Sequence, residues 1–140
     1  MIVLDTNVIS EAFRKSPSDR VLDWMNAREM SALFLSTITF SELYFGAYLV
    51  AEPHRQEALL QAIGRIRGDY AGRILDFGQG AAEAYGQIAA SARRKGRPIE
   101  TKDAMIAAIC LAHDATLATR NVRDFDGLDL AIVNPFEAGA

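Results

Sequence analysis

Apolar and polar residues alternate along this chain in blocks that switch repeatedly between strand-like and helix-like periods. The first block, Ile2-Val3-Leu4, is an uninterrupted apolar run ending at Asp5, as expected for a strand buried on both faces of a parallel sheet. Thr6 and Asn7 then favour a helix start, and Val8 to Phe13 supply a short amphipathic turn or two. A polar turn over Arg14 to Asp19 offers Ser18 or Asp19 as the cap of a helix with Val21, Leu22, Trp24 and Met25 on its inner face. Leu33-Phe34-Leu35-Ser36 predicts a second strand and Thr37 to Val50 a helix. Glu52-Pro53-His54 is expected to break that helix before another runs from about Arg55 to Ile66.

The second half continues the alternation. Ile74-Leu75-Asp76-Phe77 predicts a third strand, and an Ala-rich helix follows it and stops at Gly96-Arg97-Pro98. The helix expected over Thr101 to His113 is apolar almost all round, which marks it as central and packed on several sides. Thr116 to Thr119 and Leu130 to Val133 are the last two predicted strands. Strands alternating with helices give an α/β fold, with a central, mainly parallel sheet of about four to five short strands flanked by helices. Residues 1–140 contain no linker, internal repeat or low-complexity tract and are expected to form a single domain.

Composition narrows the function. A hydrophobic content of 50% fits a globular core or an oligomer interface, and no apolar run approaches the ~20 residues of a membrane span. The first residues lack the basic start, apolar middle and cleavage site of a secretory signal, so Asp5 is expected to remain in the working protein and the protein to be cytoplasmic. The single cysteine, Cys110, excludes an internal disulfide framework and reads as a small core residue. A net charge of −3 argues against coating nucleic acid non-specifically but is compatible with acids gathered at a metal-dependent nuclease site. Arg93, Arg94, Lys95 and Arg97 form the one dense basic cluster, read first as a solvated helix end and second as an RNA contact.

Four acids fall at corresponding places in this layout: Asp5 after the first strand, Glu42 early in the helix after the second, Asp103 in the first turn of the central helix, and Asp124 after the fourth strand. Strand C-termini and the helix N-termini that follow them share one edge of a parallel sheet, so the four carboxylates are expected to face one crevice. Singly, each has a structural explanation. Asp5 and Asp103 suit helix starts, Asp124 suits a turn, and Thr39-Phe40-Ser41-Glu42 matches a capping box. Jointly, clustered carboxylates repel one another unless a cation neutralises them, and an all-oxygen set suits Mg²⁺ or Mn²⁺ rather than zinc. His54 and His113 are far apart, and His113 reads as a helix C-cap. No phosphate-binding loop or nucleophile elbow is present, and Gly78-Gln79-Gly80-Ala81-Ala82-Glu83 reads as an ordinary strand-to-helix turn.

The stretches Val3-Leu4-Asp5-Thr6-Asn7, Thr39 to Leu43 with Glu42, Asp103 to Ala108, and Leu117 to Phe125 resemble PIN domains, and more narrowly the VapC-type toxins of bacterial toxin–antitoxin pairs. The ending Val133-Asn134-Pro135-Phe136 is similar to that of the FitB-like subset. The resemblance spans nearly the whole chain and implies a metal-dependent endoribonuclease. Asp5 and Asp103 would be the principal ligands of Mg²⁺ or Mn²⁺, with Glu42 and Asp124 completing the cluster and Thr6, Asn7 and Asn121 supporting it. It also implies an RNA substrate, a homodimer, and silencing by a small DNA-binding antitoxin. Three other readings compete: an aspartyl-phosphate phosphatase using Asp5, which expects a second acid where Asn7 stands; a receiver-like domain; and a PIN-shaped protein that only grips an antitoxin.

Overall fold

A computed structural model describes residues 1–140. Five strands, β1 (Ile2–Leu4), β2 (Leu33–Ser36), β3 (Ile74–Leu75), β4 (Thr116–Ala118) and β5 (Ile132–Val133), form one sheet in the order β3-β2-β1-β4-β5. Every adjacent pair is parallel. The third and fifth strands are two residues each, shorter than the apolar runs suggest.

Six α-helices cover the sheet: α1 (Thr6–Ile9), α2 (Asp19–Asn26), α3 (Thr37–Leu49), α4 (Pro53–Asp69), α5 (Gln79–Arg94) and α6 (Thr101–Ala112). The α1 helix tightens into a 3₁₀ turn over Ser10–Phe13, and a second 3₁₀ turn, Val122–Phe125, follows β4. Pro53 starts a helix where the sequence suggests only a break. It occupies the first turn of α4, where a missing N–H costs nothing, and Glu52 caps the His54 and Arg55 amides.

Alternation along the buried strands divides the core into two layers. Val3 and Leu117 face one, with Ile88 of α5, Ile106 and Ile109 of α6, and Phe125. Leu4 and Ala118 face the other, with Trp24, Leu33, Leu35, Phe40 and Ile63. The α6 helix is central as expected, with Ala104 and Ile106 through Cys110 all buried. It ends in a Schellman motif: Ala115 N–H donates to Cys110 O at 2.8 Å, His113 takes the C-cap position, and Asp114 adopts φ 51°.

Chain order reverses at β1. The chain moves outward from β1 through β2 to β3, then crosses back to place β4 on the other side of β1. Such a reversal opens a crevice beyond the carboxyl ends of the two diverging strands. Asp5 follows β1 and lines that opening, and Thr119, which follows β4, lies buried behind it.

Candidate active site

Asp5 is built into the edge by backbone and side chain together. Its N–H completes the ladder to Ala118 O at 2.9 Å, and its Oδ1 accepts from Thr6 N–H at 2.8 Å as the cap of α1. The helix-cap explanation therefore holds, and it does not exhaust the side chain. Asp5 Oδ2 accepts from the Thr119 hydroxyl at 2.8 Å and from Asn7 Nδ2 at 3.4 Å. The residue is only 5% exposed. Burial pushes its pKa up, the hydrogen bonds from Thr119, Thr6 and Asn7 pull it back, and the Asp124 charge adds to the rise.

Thr119 is the hub that sequence patterning hides. Fully buried at the end of β4, it accepts from Asn121 N–H at 3.1 Å and Asn7 Nδ2 at 3.3 Å while donating to Asp5. Only the parallel register, Leu4 opposite Ala118, brings this hydroxyl to the carboxylate. Asn7 ties the same corner from the other side, its Oδ1 accepting from Arg120 N–H at 3.0 Å.

Glu42 reaches the crevice from α3, and here the capping-box expectation fails. The strand ends one turn earlier than that motif requires, so Ser36 caps α3 by accepting from Thr39 N–H at 3.2 Å. Thr39 is already helical and buried, and Glu42 lies in the second turn with its carboxylate free to point inward. Thr6 Oγ1 donates to Glu42 Oε1 at 3.0 Å and stands 3.1 Å from the Thr39 hydroxyl. Desolvation raises the Glu42 pKa, the Thr6 bond lowers it, and the Asp5 charge raises it again.

Asp103 sits in the first turn of α6, and its pKa is pushed up to about 6 by partial burial and then by Asp5, Glu100, Asp124 and Glu42. Asp124 is in the 3₁₀ turn after β4, held by a backbone bond to Asn121 O at 3.0 Å and by the buried Phe125 beside it.

All four acids expected from the sequence, with Thr6, Asn7 and Asn121, line one cleft of about 310 Å³ that no apolar residue enters. Three further residues complete its lining: Ser10, Glu100 and Lys102. Glu100 and Lys102 flank Asp103 in the α6 start, and their proximity was available from the sequence. Nothing in the linear order distinguished them from solvated helix-start charges. No three of the carboxylates close into a ready-made coordination shell. The donor set, carboxylate and hydroxyl oxygen with amide groups and no sulfur or imidazole, is chemically that of a hard divalent cation.

One nearby acid is excluded. Glu11 is buried, and its carboxylate is held below the usual range by Ser18 N–H at 2.8 Å and by Arg14 at 3.1 Å, with Arg120 at 3.6 Å. It anchors Arg120, whose guanidinium also lies 3.8 Å over the Phe136 ring. Cys110 is buried in α6, its thiol pushed up to about 12 by desolvation, and is inert core.

Known proteins are similar to this chain in both sequence and shape. A VapC ribonuclease from Sinorhizobium fredii is 38% identical over 98% of this chain and 99% of its own length. Toxin FitB from Neisseria gonorrhoeae is 38% identical over 97% of this chain and 99% of its own. The solved structure of FitAB bound to a DNA fragment contains a chain that superposes with a TM-score of 0.93 at 36% identity, covering 100% of this chain and 99% of that one. A family model, the PIN domain, matches residues 2–129, so that Asp5 after β1 and the turn carrying Asp124 both fall inside it, and the chain belongs to the PIN domain family.

Proposed function

We propose that this protein is a divalent-metal-dependent endoribonuclease acting as the toxin of a toxin–antitoxin pair, with residues 1–140 as one PIN domain. The observation that carries the proposal is the all-polar cleft into which Asp5, Glu42, Asp103 and Asp124 project from four separate segments. Partial burial and then the surrounding acids raise the Asp103 pKa there, as in a site that gains from a cation. The relatives named as a VapC ribonuclease and as Toxin FitB support the activity and the biological role.

In this reading Asp5 and Asp103 would hold Mg²⁺ or Mn²⁺, with Glu42 and Asp124 contributing further oxygens. When bound, the ion supplies charge that lowers the pKa of water and stabilises the developing negative charge of phosphodiester hydrolysis. The protein's own contribution is positioning. Thr119, Asn7 and the Thr6 amide hold Asp5 in one rotamer, and the Thr6 hydroxyl does the same for Glu42. Asn121 N–H fixes the Thr119 oxygen, and Lys102 is the one cation inside the cleft, suited to a phosphate oxygen of the substrate. An aspartyl-phosphate route fits poorly, because Asn7 stands where that reaction needs a second acid.

The partners follow from the same surface. A small DNA-binding antitoxin would offer a cationic side chain to the acidic cleft, and FitAB is itself a DNA-bound relative. A homodimer would cover the apolar face of α3, where Phe45, Tyr48 and Leu49 are all more than half exposed. Sedimentation at micromolar concentration should show the dimer; a monomer would remove that part of the proposal.

Brief induction in bacteria, followed by sequencing of RNA 5′ ends, tests the function. New ends at defined positions together with growth arrest are expected from the unaltered protein and from neither Asp5→Asn nor Asp103→Asn. Arrest without new ends would point to some other poison, and the nuclease reading would fall.

A further inference from the structure

The acidic cleft presents a difficulty for an RNA enzyme: five carboxylates (Asp5, Glu42, Glu100, Asp103 and Asp124) face one lysine. A cation bound among them offsets repulsion locally. The neighbouring phosphates of the strand lie beyond it and need positive charge outside the acidic cluster.

Two further clefts adjoin this one. One of about 260 Å³ shares Glu100, Asp103 and Asp124 with it and is edged by Arg97 and Arg123. The other, of about 510 Å³, shares Asn121 and Asp124 with it and is edged by Arg120 and Arg123. Arg123 therefore stands beside Asp124 where all three meet. Its backbone is fixed by the same 3₁₀ turn that holds Asp124, with Asp126 N–H bonded to Arg123 O at 3.2 Å and Phe125 buried between them.

The arginines differ in what already occupies them. Arg120 is engaged with Glu11 and Phe136. Arg97 makes one ion pair, to Asp126 at 3.7 Å, with both side chains more than half exposed, an arrangement that contributes little in water and exchanges readily for a phosphate. Arg123 makes no ion pair at all and is exposed. The basic residues at the end of α5, Arg93 and Arg94, line none of the three clefts.

Resting on the ribonuclease reading above, we infer that Arg123, with Arg97 beside it, binds the RNA backbone phosphates flanking the scissile one, so that the strand crosses the molecule over the Asp124 turn and away from the α5 basic cluster. These contacts position substrate and carry no base information, because they meet only phosphate.

The test measures binding of a fluorescein-labelled, mixed-sequence single-stranded RNA of about 20 nucleotides to the Asp5→Asn protein across a KCl series. Adding Arg123→Ala should weaken binding roughly 3- to 10-fold and flatten the slope of log affinity against log salt by about 0.7, the loss of one single-strand phosphate contact. Arg97→Ala should do the same to a smaller degree, Arg123→Lys should keep the slope, and Arg94→Ala should change neither quantity. In the protein with Asp5 intact, Arg123→Ala should raise KM several-fold and leave kcat within about twofold. An unchanged slope for Arg123→Ala, an equal loss for Arg94→Ala, or no binding by the Arg123-containing protein overturns the inference. Failure of the Asp5 protein to cleave any RNA overturns the ribonuclease reading instead, and the binding series still reports on Arg123.

Discussion

The two walls of the acidic cleft are built in opposite ways. On the sheet side, Asp5 is buried and each of its oxygens is spoken for, by Thr6, Asn7 and Thr119. On the helix side, Asp103 is half-buried at the start of α6, and that burial, followed by the acids around it, pushes its pKa up to about 6. One wall is a carboxylate held in place by donors; the other is a carboxylate held against repulsion. Preorganisation and stored electrostatic cost are thus divided between two residues that the proposed cation would join.

Exchanging each acid for its amide should separate the walls most sharply. Both Asp5→Asn and Asp103→Asn are expected to lower RNA cleavage on the order of 10³-fold or more, as loss of a direct electrostatic contributor does. Their stabilities should move in opposite directions. At Asp5 an amide offers one acceptor where three donors converge and sets its NH₂ against Asn7 or Thr119, which outweighs the relief from burying a charge, at a cost of about 1 kcal/mol. At Asp103 the amide removes repulsion from a partly exposed group, a gain of about 1 kcal/mol in the metal-free protein once solvent screening is allowed for. Chemical denaturation of both variants in EDTA checks the signs; matching signs would break the comparison.

Thr119→Val tests the sheet wall alone. It keeps shape and burial, removes the 2.8 Å bond to Asp5, and should cost roughly 10- to 100-fold in metal affinity and cleavage, as loss of a group orienting a ligand does. Manganese titration followed by calorimetry measures it.

The helix wall should show in pH. Asp103 titrates near its ordinary value of 3.8 when unfolded and at about 6 when folded, so the folded state binds the extra proton between those values. Stability of the metal-free protein should therefore be greatest, in this respect, below about 4 and fall by about 1 kcal/mol as pH rises through about 6, after discount for exposure. Saturating Mg²⁺ should flatten that window, since the cation takes the proton's place. Cleavage should rise over the same range as the metal displaces the proton.

The smallest effect lies at the far end of the same helix. Asp114 adopts φ 51° at the Schellman position, where glycine relieves strain but gains freedom on unfolding. Asp114→Gly should add about 0.5 kcal/mol of stability and leave cleavage unchanged, a control showing that α6 can be stabilised without touching its catalytic end.

These two walls also mark what the sequence could disclose. Asp5, Glu42, Asp103 and Asp124 are legible because strand ends and helix starts in a parallel α/β fold share an edge, and each acid lies at a strand end or an early helix turn that the apolar pattern marks. Thr119 was not, because a threonine closing a short strand is ordinary; its role depends on β4 lying beside β1 in one register. Glu42 lies at the crevice as its position in the helix after β2 suggests, and the structural alternative weighed against it fails. The Thr39 capping box gave way to a Ser36 cap once β2 pairing decided where the strand ends. Pro53 marks both the end of one helix and the start of the next, so the pattern places the start of α4 two residues late, at Arg55. The basic residues could not be ranked along the chain, since only the three-dimensional arrangement separates Arg123 and Arg97 from Arg93 and Arg94.

The most direct test of the cleft as a metal-dependent ribonuclease is cleavage of end-labelled RNA by the purified protein in Mg²⁺, in excess EDTA, and with Asp103→Asn in Mg²⁺. Defined fragments only from the unaltered protein in Mg²⁺ are predicted. Equal cleavage in EDTA, or by Asp103→Asn, would contradict the account.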